Sequence, residues 1–253
     1  PCLAPVHRPY AQLGSVTVFE SAALSVYHGF TVSARRRMSR GLSWRLAYTW
    51  AHAMDNGQDA LVVGRPATVE NTYSPQSEWG SSVTDQRHRF VAAWAAEPKP
   101  FHRDHPWLRT MFNDWRFSGV VTFGTGRPLS ARIVGDANRD GNDSNDRLPG
   151  YRRNAFTGPD YSTTDLRLMR AFPVGDYLRL ELTAESFNVM NRTNARVDIS
   201  DDGFSGSAGK FVIDQTVVSS VRYPAHFQMS GGFLSPTNAY APRQVQFSVR
   251  LRF

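Results

Sequence analysis

Seven stretches of this chain alternate apolar and polar residues, and a period of two admits β-strands with one apolar face and little else. The clearest closes the sequence, where Val245, Phe247, Val249, Leu251 and Phe253 interleave with Gln244, Gln246, Ser248, Arg250 and Arg252. Leu42, Trp44, Leu46, Tyr48 and Trp50 repeat the pattern, as do Trp115, Phe117, Gly119, Val121 and Phe123. Leu178, Leu180, Leu182 and Ala184 form a fourth stripe, and weaker ones run through 30–38, 90–96 and 164–172. Strands of about ten residues are the length that crosses a bilayer at a tilt.

The connections between these stripes are sorted by length. Short ones, 39–41 and 173–175, alternate with long polar ones at about 55–84, 125–160 and 189–241, while 98–112 is intermediate. In an up-and-down sheet all three long loops then fall at one end. Outer-membrane barrels sort their loops this way, with short periplasmic turns and long extracellular loops. Loops of this length are uncommon in compact soluble domains.

Facial matching predicts the registers. A three-residue turn 39–41 with Gly41 last places Ala34 opposite Leu46, Val32 opposite Tyr48 and Phe30 opposite Trp50. A two-residue turn alone would set apolar against polar positions. The same geometry at 173–175, with Gly175 last, places Leu168 opposite Leu180, Leu166 opposite Leu182 and Arg167 opposite Glu181. The polar face carries Arg35, Arg37, Arg45, Asp165, Arg167, Arg179, Glu181, Glu185, Arg250 and Arg252, the expected lining of a lumen. Arg36 falls on the apolar face opposite Trp44, where its cation is expected to snorkel over the indole.

Composition narrows the alternatives. The longest apolar run, 90–96, is far short of the ~20 residues of a spanning helix. Many of the basic residues behind the net charge of +7 sit one by one on strand faces, and no groove-reading or base-stacking motif accompanies them, so nucleic acid is not an expected partner. Cys2 is the only cysteine, which excludes an internal disulfide. The chain begins at Pro1 without a signal peptide, and the pattern favours a fragment of a longer barrel.

Several segments, in order and over most of the chain, resemble the TonB-dependent outer-membrane receptors, especially the Oar-like group. They are "YHGFTVSARRRMSRGLSWRLAYTWAHAMDN", "DQRHRFVAAW", "NDWRFSGVVTFGTGRPLS", "DANRDGNDSNDRLPGYRRNAF", "ESFNVMNRTN" and "PRQVQFSVRLRF". The resemblance implies a 22-stranded transmembrane barrel closed by an N-terminal plug and energised through TonB. Residues 1–253 match its C-terminal portion, about eight strands, without the plug or the TonB-contacting segment. It also implies that Phe253, with Phe247, Val249 and Leu251 on the same face, is the signal read by the barrel-assembly machinery. Outer-membrane lipid and lipopolysaccharide would be the other partners.

Candidate sites are few. Asp136, Asn138, Asp140 and Gly141 have the opening spacing of a calcium loop, with Asp146 as a further oxygen donor. Arg147 stands where such a loop has its bidentate glutamate, and an Asn/Asp/Gly-rich loop turns often without any ion. His102 and His105 flank Asp104 without a third ligand, a weak metal pattern. No nucleophile elbow, phosphate-binding glycine loop or cysteine–histidine pairing occurs, so no catalytic residues and no enzymatic activity are expected. Aromatics on the apolar faces suit interfacial girdles. Tyr73, Trp79, Tyr223 and Tyr240, in the long loops, are the candidates for touching a substrate.

The expected protein is therefore all-β, an antiparallel up-and-down transmembrane barrel segment in the outer membrane. Its expected role is to capture an unidentified substrate with its loops for TonB-energised uptake. A small self-contained barrel of eight to ten strands, acting as an adhesin or structural protein, is the alternative. A secreted glycan-binding β-sandwich would need evenly short loops.

Overall fold

The computed structural model describes residues 21–57, 69–71, 73–99, 107, 111–134, 138, 146–175, 177–197, 204–212, 217–218, 221–222, 226–229, 234–236 and 238–253. Seven long strands form one antiparallel meander: β1 (Ser25–Ser39), β2 (Leu42–Asp55), β3 (His88–Ala96), β4 (Trp115–Gly124), β5 (Tyr161–Val174), β6 (Leu178–Phe187) and β7 (Gln244–Arg252). The two-residue strand Gly80–Ser81 pairs with the end of β2 and brings the sheet to eight. All seven alternating stripes became strands. The connections 40–41, 97–114 and 175–177 lie at one end, and 56–87, 125–160 and 188–243 at the other, so the loops are sorted as expected.

The longer loops are not irregular throughout. Pro128–Val134 pairs antiparallel with Phe156–Thr157 and parallel with Phe204–Val212, which also pairs with His226–Met229. Ala195–Arg196 pairs with Asn238–Ala239. These pairings satisfy backbone groups of the loops within the protein.

The apolar face runs continuously through the registers. One row joins Leu46, Ala92, Val121 and Thr164, and the next joins Tyr48, Phe90, Phe123 and Ser162. Toward the short turns Trp44 faces Trp94, and toward the loops Trp50 faces His88, so aromatics stand at both levels. The molecule is inside-out by the standards of a water-soluble protein. Phe30, Trp50 and Phe247 are exposed, whereas the buried hydrophobic residues among those described are only Ala51, Leu129, Ala131 and Val197. A lipid-facing sheet has this distribution because hydrocarbon, rather than a core, covers its apolar stripe.

Both short turns differ in detail from expectation. Ser39 pairs with Leu42 across two residues, and Arg40 and Gly41 both have positive φ, 52° and 75°. Two positive φ values are the type I′ pattern, whose twist matches the strands. An irregularity between Arg36 and Ser39 takes up the extra residue, so Ala34–Leu46, Val32–Tyr48 and Phe30–Trp50 pair as predicted. A side chain at Gly41 would also meet the Glu97 carbonyl oxygen at 2.4 Å. Arg36 does lie opposite Trp44, but its guanidinium donates to the Ser39 carbonyl (3.2 Å). Arg170, not Arg36, stacks on aromatics, over Trp115 and Phe172.

In the second hairpin β5 runs on to Val174, which faces Leu178, and Gly175 (φ 66°) opens the turn rather than ending it. Leu168 therefore faces Ala184, Leu166 faces Ser186 and Arg167 faces Glu185, four residues along β6 from the predicted partners. The longer strand adds the apolar pairs Phe172–Leu180 and Val174–Leu178. An even shift keeps every side chain on its face, which is why facial matching could not distinguish the two registers. Cysteines introduced at Leu168 and Ala184 are expected to crosslink in the assembled barrel. Preferential crosslinking of positions 168 and 180 would restore the shorter hairpin.

Candidate binding site at the loop end

Buried ion pairs tie two of the long loops together. Glu78 is fully buried and accepts two hydrogen bonds from the Arg147 guanidinium, at 2.6 and 3.1 Å. The same guanidinium pairs with Glu70, whose carboxylate also accepts from the Arg147 amide at 3.2 Å. Arg153 donates to the Glu78 carbonyl at 2.9 Å and to the Asp55 carbonyl at 2.7 Å, and forms an ion pair with the Asp55 carboxylate. Burial pulls the Arg153 guanidinium down to about 10, which leaves it cationic at neutral pH. Asn154 exchanges hydrogen bonds with Ser130 at 2.9 Å and donates to the Ser81 carbonyl at 2.6 Å. This network ties two long loops to the top of β2. Its cations and carboxylates pair with one another, which makes it a scaffold for the loops.

Beside this scaffold a cavity of about 600 Å³ opens over the lumenal ends of β3, β4 and β5. Arg89, Thr122, Gly124 and Tyr161 supply its floor, because register places all four on the polar face. Arg127 and Leu129 come from the loop after β4, and Arg196 and Tyr240 from the loop after β6. Asn194, buried to 1 % exposure, fixes this side of the cavity. Its side chain bonds both the amide and the carbonyl of Ser162 (2.8 and 2.9 Å), and its own carbonyl accepts from the Tyr240 amide at 2.9 Å. Tyr240 is thereby held edge-on to Tyr161, ring centres 5.0 Å apart, with the Arg196 guanidinium over its ring at 5.6 Å. At the base, a side chain on Gly126 would come within 1.8 Å of the Gly158 carbonyl oxygen, so the two strands of the loop can touch only there because Gly126 has none.

A second concavity of similar volume follows the polar face nearer the short turns and includes Arg35, Arg45, Asp165, Arg167 and Glu185. Arg167 is paired with Glu185 at 3.3 Å, and Arg252 with Glu181 at 3.1 Å. Arg35 and Arg45 stand directly opposite one another. The four expected lumenal charges, Arg35, Arg45, Arg167 and Glu181, thus share one face, with Glu185 replacing Glu181 as the partner of Arg167.

The loop candidates separate. Tyr240 lines the cavity; Tyr73 is 97 % exposed and away from it; Trp79 is half-buried and follows Glu78. Tyr223 lies outside the described residues, as do Asp136, Asp140, His102 and His105. Asn138 is exposed and its amide donates to the Glu70 carbonyl at 2.8 Å, and Asp146 is buried beside the Arg147 network. Among the described residues no group of three acidic, histidine or cysteine side chains is placed to hold a metal ion. Phe247, Val249 and Leu251 project from the apolar face of β7, and Phe253 is fully exposed just beyond it. Arg127, Arg196 and Asn194 were missed from the sequence, where nothing marks them off from other loop residues.

An antiparallel sheet with a lipid-facing stripe, a charged inner face and long loops at one end defines a membrane-spanning β-barrel protein. The family model described as an outer membrane beta barrel domain matches residues 4–151 and 147–246. The chain belongs to that family, and its place is the outer membrane. Comparison with curated proteins and with solved structures finds no match.

Proposed function

We propose that this chain is the substrate-capturing barrel portion of an outer-membrane receptor of the TonB-dependent, Oar-like type. The observation that carries the reading is the open sheet. Among the described residues the outer edges of β1 and β7 have no partner strand, although both strands are long and exposed on each face. Unpaired edges are not tolerated in hydrocarbon, so each edge needs a partner, which the larger-barrel reading supplies with further strands. The charged lumenal face and the cavity at the loop end suit a wide, polar passage entered from outside. The stripe ending at Phe253 serves as its assembly signal in this reading.

A self-contained barrel would instead close β1 directly on β7. The test places single cysteines at Phe30, Val32 or Ala34 and at Phe247, Val249 or Leu251 of the full-length protein in outer membranes. No combination is expected to crosslink efficiently, and photocrosslinking in the same cells is expected to trap TonB. A robust β1–β7 crosslink overturns the larger barrel. An assembled receptor that never yields a TonB adduct overturns the energised uptake.

A further inference from the structure

We infer that the loop-end cavity between Arg89, Arg127, Arg196 and Tyr240 binds a small organic anion, up to a disaccharide in size. The inference rests on the receptor reading above and names the substrate class of that site.

Four observations lead to it. Arg89, Arg127 and Arg196 reach the cavity from three separate segments, a strand and two loops, and all three are exposed. Among the described residues, the side chains that line it include no carboxylate. Convergent guanidinium groups raise the local potential, and an anion that lowers it is bound bidentately by their planar forks. By contrast, the lining of the other lumenal concavity includes the carboxylates of Asp165 and Glu185.

The walls add shape to charge. Tyr161 and Tyr240 present ring surface and hydroxyls, and Gln86 and Thr122 add neutral donors and acceptors. A few placed polar groups on an aromatic wall are the ordinary make-up of a small-molecule site, and about 600 Å³ is an ordinary size. The wall is also rigid. Asn194 fixes Tyr240 against β5, Gln86 donates to the Thr125 carbonyl at 3.2 Å, and the Asp160 carboxylate accepts from the Gly126 amide at 2.9 Å. Pre-organisation of this kind lowers the entropy lost on binding.

The test uses the full-length protein, extracted from outer membranes and folded in detergent. Digalacturonate, glucose 6-phosphate and 4-hydroxybenzoate are titrated by calorimetry beside neutral counterparts of the same shape: the dimethyl ester, glucose and the methyl ester. At least one anion is expected to bind saturably, at least tenfold tighter than its neutral counterpart, and more weakly as salt is raised. The double variant Arg127→Gln/Arg196→Gln is expected to lose roughly tenfold or more in affinity, as removal of charged hydrogen bonds does. Its heat-modifiable gel mobility should stay that of the folded barrel. Equal binding of acid and neutral forms, saturation by none of the anions, or full affinity in the folded double variant would each overturn the inference. Binding needs no TonB, so a receptor that traps TonB but binds no anion sinks this inference alone, and one that binds anions without a TonB adduct sinks only the uptake.

Discussion

Replacing Arg147 with leucine is expected to release the extracellular loops of this barrel, because it strands a fully buried carboxylate. Glu78 has no water to turn to, and its two side-chain hydrogen bonds from Arg147 would be lost together. Removing one partner of a buried ion pair typically costs about 3–5 kcal/mol, most of it the penalty of the charge left behind. Glu70, which is partly exposed, can re-solvate and adds less. The barrel wall does not depend on this network, so the expected result is selective. Intact cells should show new protease cleavage within 69–87 and 146–157, while the heat-modifiable barrel band persists. Pairing the change with Glu78→Leu should recover part of the loss, since the buried charge is then gone. Loops as protected in the Arg147→Leu variant as in the parent would show that the ion pair does not hold them.

The contrast between barrel and loops also explains what could be read in advance. Strand identity, facing and loop sorting were legible because each depends on parity, and parity is local to a few residues. Phe30, Val32 and Ala34 found their partners on β2 because a single-residue slip would have turned a strand over. The β5–β6 register was not legible, because Leu168 meets an apolar residue of the right face at either Leu180 or Ala184. Turn chemistry misled in the same place: a glycine at 175 can open a turn as well as close one. The loop network was beyond reach for another reason. Arg147 and Glu78 are 69 residues apart, and Arg153 and Asp55 are 98 apart, so no periodicity links them. Arg147 stood out only as the wrong residue for a calcium loop, whereas it pairs with two glutamates, Glu70 and Glu78. Of the substrate candidates, Tyr240 differs from Tyr73 by a backbone hydrogen bond to Asn194, a contact no pattern announces.

The sidedness of the sheet makes the second large prediction, on two adjacent valines of β4. Val121 lies in the middle row of the apolar face, between Ala92 and Thr164, while Val120 projects from the other face directly opposite Asp165. A change to arginine adds the same charge and the same volume at either position. On the lipid side, at mid-span, an arginine costs about 2–4 kcal/mol, because its head must be dragged to an interface or solvated by a defect. On the lumenal side it finds water and the carboxylate of Asp165, and the change should stay within about 1 kcal/mol. Val121→Arg is therefore expected to lower the yield of folded, heat-modifiable protein in outer membranes sharply and to shift the urea midpoint for refolding into bilayers. Val120→Arg should leave both near the parent values. Asp165→Asn in the Val120→Arg background tests the lumenal pairing, since it removes the attraction and leaves the solvation. Equal tolerance of the two arginines would mean that the face carrying Val121 does not meet lipid, and the barrel reading of this sheet would fail with it.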